Sequence, residues 1–122
     1  MRKVLAVDFD NTIAYNTKYP GIGSEVKHAL ASLTLLQKTG NKVIIWTVRS
    51  GVGLENAKKW FKENNFTPDG YNHLKGQDSY STSPKLDYDY VIDEKAVGCP
   101  TLNDGSVDWL GVMRFLKKKG VV

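Results

Sequence analysis

The sequence predicts a single α/β domain organised on a mostly parallel sheet, and three observations carry that prediction. The apolar runs Val4-Leu5-Ala6-Val7, Val43-Ile44-Ile45-Trp46 and Tyr90-Val91-Ile92 are continuous rather than alternating, the pattern of strands buried on both faces. Segments of helical period lie between and after them, giving the strand–helix alternation that folds with right-handed crossovers. Each run also stops abruptly on a polar side chain, at Asp8, Thr47 and Asp93.

In chain order, residues 3–8 form the first strand, and Asn11-Thr12 turn the chain away. Residues 11–23, with Tyr15, Tyr19, Pro20 and two glycines, read as a loop. Ser24 is expected to cap a helix whose apolar stripe is Val26, Ala29, Leu30, Leu33 and Leu36, with Gly40-Asn41 closing it. His28 falls off that stripe and is read as a surface residue. Residues 42–47 give the second strand, and Leu54 to about Asn64 an amphipathic helix through Ala57, Trp60 and Phe61. Phe66 to Tyr71 reads as a short strand weakened by Pro68 and Gly70. Residues 72–84 carry no pattern and form a loop over the site; His73 at its start lacks partners at metal-ligand spacing. Tyr88 to Ile92 make the third strand. After Gly98, Cys99 and Pro100, Ser106 is the expected cap of a last helix burying Trp109, Leu110, Met113 and Leu116. Trp46, Trp60 and Trp109 are assigned to core packing.

Composition sets the outer bounds. At 122 residues the chain is one domain with room for a real core, and 41% hydrophobic with 25% charged residues is ordinary for a globular protein. No apolar run reaches membrane-spanning length, and no signal-peptide core opens the chain. One cysteine excludes an internal disulfide framework, so a reducing cytoplasm is the expected location. Cys99, beside Pro100 and with no nearby histidine, reads as a structural thiol. The net charge of +4 permits phosphate-bearing partners. Lys117-Lys118-Lys119 before Gly120 fit a basic helix end better than a nucleic-acid patch.

The chemistry gathers at strand ends. Asp8 and Asp10 flank one aromatic residue, and two such carboxylates repel unless a cation or a shared proton intervenes. A hard cation such as Mg2+ resolves the conflict; a solvated strand end with Asx turns is the plainer alternative. Ligands of open parallel sheets bind at the carboxyl ends of strands, so Asp8/Asp10, Thr47 and Asp93/Glu94 are expected to meet in one site.

With these residues in place, the chain resembles the haloacid dehalogenase (HAD) superfamily of phosphotransferases and phosphatases. Its motifs are matched by Asp8-Phe9-Asp10-Asn11-Thr12, by Thr47 closing the second strand, by Lys85, and by Asp93-Glu94. Asn11 stands where Gly is commoner, and Glu94 where a second Asp is commoner. The resemblance implies a Rossmann-like three-layer sandwich. No cap domain is expected, since residues 13–23 and 48–84 leave no room for one. It further implies an Mg2+-dependent phosphohydrolase in which Asp8 forms an aspartyl-phosphate and Asp10 is acid and base. Asp8, Asp10 (through its carbonyl), Asp93 and Glu94 would hold the metal, Glu94 either directly or through water. Thr47, Lys85 and amides near Asn11 would hold the phosphoryl group. Arg49 is assigned to a second substrate anion or, equally, to a surface salt bridge. Two alternatives stay open: a phosphatase of polynucleotide ends, and a non-catalytic metal- and phosphate-binding module. The expected partner is a phosphorylated small molecule or nucleic-acid end, with no membrane. A homo-oligomer is one way of covering the open site.

Overall fold

The computed structural model describes residues 2–122. Its sheet has four parallel strands, β1 (Val4–Val7), β4 (Lys42–Ile45), β5 (Gly70–Tyr71) and β6 (Tyr90–Ile92), in the order β5-β4-β1-β6. The two inner strands are the two most continuous apolar runs, because only they are covered on both faces and both edges. Between β1 and β4 come a two-stranded antiparallel ribbon, β2 (Ala14–Asn16) with β3 (Ile22–Glu25), and helix α1 (Ala29–Lys38). Helix α2 (Gly51–Glu63) joins β4 to β5, and α3 (Trp109–Lys118) ends the fold.

Side-chain alternation divides the sheet into two unlike faces. Leu5, Val7, Val43 and Ile45 point into the main core with Leu33 and Leu36 of α1, Phe61 of α2 and Val112 and Leu116 of α3. Ala6 and Ile44 point the other way and meet Leu86, with Leu74, Trp46 and Tyr88 packed at the margin. All three helices therefore contribute to one core, while the opposite face is covered by the irregular segment 72–88. The expected α/β class with a mostly parallel sheet is present, with helices on one face and the segment 72–88 on the other. That segment is held by Gln77, a buried side chain that donates to the Lys85 carbonyl (2.7 Å) and accepts from the Asp87 amide (3.0 Å).

Helix α2 begins at Gly51 rather than Leu54, β5 keeps only Gly70–Tyr71 of the expected 66–71, and three further boundaries differ for local reasons. Residues 14–25 form the β2–β3 ribbon rather than a plain loop; its strands are too short to show alternation. Helix α1 begins at Ala29, not after Ser24, since His28 sits in the left-handed region (φ 69). Glu25 reaches forward from β3, and its carboxylate accepts from the Leu30 amide at 2.8 Å. The cap of α3 is Asp108, which accepts from the Gly111 amide, whereas Ser106 is buried and bound to Asp104. On that helix Val112 is buried in place of Leu110, which is half exposed. Gly40-Asn41 does close α1: Gly40 has φ 95, and Asn41 donates to the Leu36 and Val121 carbonyls. His28 is exposed, as expected. No helix among the described residues is long and apolar enough to cross a membrane.

Candidate functional site

The register of the sheet builds the site. Val7 pairs with Ile45 and with Ile92, and Ile45 pairs with Tyr71, so the four strands end level. The ladder runs one step further, with amides donating from Asp8 to Ile92 (2.9 Å), from Trp46 to Val7 (2.8 Å) and from Asn72 to Ile45 (2.7 Å). The residues just past each strand thus form a row across the sheet: Asn72, Trp46, Asp8, Asp93. They lie one step beyond Val7 and Ile45 and so turn away from the helical core. All four line one cavity of about 450 Å3, closed by Thr47, Val48 and Pro84.

Acids crowd the β1–β6 side of this row. Carboxylate oxygens of Asp8, Asp93 and Glu94 lie within 4.8 Å of one another. Burial first, then the charges of Asp93 and Glu94, push the Asp8 carboxyl up to about 8. Glu94 is also raised, by burial and by its contact with Asp93. One neutral group supports the cluster: the fully buried Thr12 hydroxyl donates to Asp8 (3.1 Å) and accepts from the Glu94 amide (3.3 Å). Thr12 is itself pinned, since the Trp109 indole donates to its carbonyl at 2.7 Å. Three mutually repelling carboxylates with no cationic side chain among them form a hard, oxygen-only donor set, and Mg2+ fits it.

Asp10 lies outside this cluster. Its two oxygens accept from Arg49 Nη2 (2.7 Å) and Nε (2.9 Å) in a bidentate pair. Arg49 is only 3% exposed. It also donates to the carbonyls of Pro20, Gly21 and Gly53, and its guanidinium lies between the rings of Phe9 (5.3 Å) and Tyr19 (5.2 Å). A Cβ at Gly53 would strike that Tyr19 ring, which is why the start of α2 approaches so closely. Of the two readings of Arg49, the structure has the ion pair, but buried rather than on the surface, and its donors are spent on Asp10 and three carbonyls rather than left free for an anion. Asn11 is corrected likewise. At φ 59 it closes the turn, its backbone amide donating to Ala14, its carbonyl accepting from Val107 and its side-chain oxygen from Asn16, so its own backbone N–H is already spent.

The remaining expected residues divide. Thr47 lines the cavity, and its hydroxyl accepts from the Arg49 amide (3.1 Å), leaving its own proton to donate. Lys85 is exposed, its ammonium over the Tyr88 ring at 5.8 Å; Pro84 beside it lines the cavity instead. Thr12 of the first motif, and Asn72 and Pro84 of the loop expected over the site, take part without a role having been assigned to them, and Trp46, assigned to the core, joins them. Their signal was position: Trp46 and Asn72 are the residues directly after β4 and β5. Asn72 (φ 55) accepts from the Thr47 amide (2.8 Å) and donates to its carbonyl (3.0 Å), fixing Thr47 where the ladder ends. Cys99 is half-buried and free, its thiol pushed up chiefly by burial.

Fold and site together define an α/β protein with an acidic, hydroxyl-bearing row at the carboxyl edge of a parallel sheet. A conserved protein coded by a locus of Bacteroides thetaiotaomicron has a similar structure, with a TM-score of 0.83 and 32% identity over 98% of this chain and 93% of that one. The chain belongs to the family of that protein. No family model and no curated protein matches it.

Proposed function

We propose that the protein is a capless HAD-type phosphohydrolase that cleaves phosphate monoesters with Mg2+ and an aspartyl-phosphate on Asp8. The observation that carries this reading is the row itself: Asp8 stands level with Asp93, and Thr47 follows one residue behind the row, around one cavity. Burial and repulsion among three carboxylates cost stability, and a purely structural strand end has no use for them. Asp8, Asp93 and Glu94 would hold the metal, with the Asp10 carbonyl as a further donor. Bound there, Mg2+ supplies positive charge that offsets repulsion between the Asp8 carboxylate and the phosphate.

The residues then divide the work. Asp8 attacks phosphorus and the bond to the ester oxygen breaks, leaving the phosphoryl group on Asp8. Thr47 donates its hydroxyl proton to a phosphoryl oxygen. Lys85 reaches the same group by leaving Tyr88. Because both Asp10 oxygens accept from Arg49, one of those bonds opens and Asp10 takes up a proton from solvent; it gives that proton to the departing oxygen, then takes one from the water that cleaves the acyl-phosphate, which returns it to its protonated form.

A screen over sugar phosphates, nucleotides and phosphorylated oligonucleotides, with Mg2+ and with chelator, tests the reading. Phosphate release that stops with chelator and returns with Mg2+ is expected. Release that persists in excess chelator refutes the metal assignment, and no release from any ester refutes hydrolysis in favour of a binding module. Release confined to oligonucleotides identifies a polynucleotide end phosphatase.

A further inference from the structure

The two sides of the row differ in kind. Toward β6 lie carboxylates; toward β4 and β5 lie Trp46, Val48, Asn72 and Pro84, none of them charged. Resting on the phosphohydrolase reading, we propose that the substrate is a monophosphate ester whose leaving group carries a flat, uncharged ring seated against Trp46.

Neighbouring strands lie about 4.8 Å apart, so a phosphoryl group on Asp8 is one strand spacing from Trp46. On the side of Asp93 and Glu94 a leaving group would meet carboxylate charge; on the β4 side of the cavity it would meet the indole. That indole is held in place from behind, packed on the Ile44–Leu86 cluster, and presents its remaining surface to the cavity. Val48, fully exposed, and Pro84 continue the apolar wall, while Asn72 is engaged on the Thr47 backbone. A rigid indole with apolar flanks recognises another planar ring by stacking and shape.

Charge argues in the same direction. Among the described residues, no cationic side chain lines the cavity. Arg49, the nearest arginine in sequence, spends its donors on Asp10 and three carbonyls. Lys85 is assigned to the transferred phosphoryl group. A second phosphate or a carboxylate on the leaving group would find only Asp8 and Asp93 as charged company, so substrates with one anionic group are favoured.

The test compares benzyl phosphate with ethyl phosphate, alcohols of similar leaving ability, and with 4-carboxybenzyl phosphate. In parallel, calorimetry with Mg2+ compares benzylphosphonate with ethylphosphonate, which cannot be hydrolysed. Benzyl phosphate is expected to exceed ethyl phosphate in kcat/KM by about tenfold, the scale of one stacked ring, with 4-carboxybenzyl phosphate below benzyl. Benzylphosphonate should bind tighter by a similar factor. Trp46→Ala should reduce both ratios to within about twofold, and Trp46→Phe should keep most of each. Equal handling of benzyl and ethyl compounds, or a ring preference that survives Trp46→Ala, overturns the proposal. A binding preference without turnover of any ester defeats the hydrolase reading and leaves the ring seat standing.

Discussion

Asp8 and Asp10 are two residues apart and live in opposite electrostatic worlds. Asp8 has a single neutral donor, Thr12, and two carboxylates as neighbours, so it is under-compensated. Asp10 has a guanidinium on both oxygens, itself locked by three carbonyls and two rings. Burial acts on Asp8 itself and, in the second arrangement, on the Arg49 guanidinium rather than on Asp10, which stays partly exposed. It raises the cost of a lone carboxylate and strengthens a paired one. The difference teaches that a short acidic motif can hold one carboxyl group left without a charged partner and another that is already paired.

The largest break in this comparison is at Asp8. Asp8→Asn should abolish phosphate release for every ester while preserving the fold, measured by turnover and circular dichroism. Asp10→Asn should behave differently with a nitrophenyl ester: a burst of nitrophenol, then slow turnover with phosphate retained on the protein. A burst from Asp8→Asn and none from Asp10→Asn would reverse the two assignments.

Next in size is the Arg49 lock. Arg49→Ala leaves Asp10 and three carbonyls without their donor, and the expected loss is about 3–5 kcal/mol in denaturant unfolding. Arg49→Lys should recover only part, lacking the planar fork. A loss near 0–1 kcal/mol, the scale of an exposed ion pair, would mean that the lock contributes little.

The smaller effects concern the acidic side. Because the Asp8 carboxyl is raised from 3.8 to about 8, its protonated form favours folding. That contribution is complete below its ordinary range and is lost as pH rises toward 8. Metal-free protein should therefore lose thermal stability between about pH 5 and pH 8, Mg2+ should flatten the slope, and Asp8→Asn should flatten it without metal. A slope unchanged in Asp8→Asn would place the titrating group elsewhere. Finally, Asp93→Asn should raise the Mg2+ concentration needed for half-maximal activity more than Glu94→Gln does. Equal shifts would make Glu94 a direct ligand.

How far the sequence foretold this molecule depended on the scale of each feature. Strands were legible where burial on both faces forced continuous apolar runs, as at Val4–Val7 and Lys42–Ile45. The β2–β3 ribbon was not, because three- and four-residue strands with glycines leave no period to count. The acidic end of β1 and Thr47 at the end of β4 were legible as abrupt stops. Arg49 was misread because its partners come from Asp10, the ribbon turn and α2, distant stretches that no local pattern connects. Trp46 was taken for core because half of it is; only the sheet register reveals that it shares a row with Asp8.

The indole of Trp109 gives the site a second character. Its N–H holds the Thr12 carbonyl, and the Thr12 hydroxyl holds Asp8 and the Glu94 amide. The loop after β1 is therefore fastened to the last helix, although no residue of α3 reaches the cavity. Opening this loop requires breaking a buried tie to α3, so its amides are expected to exchange more slowly than those of the mostly exposed segment 72–88. The carboxyl edge of the sheet is thus tied through one buried threonine to the helix that closes the fold.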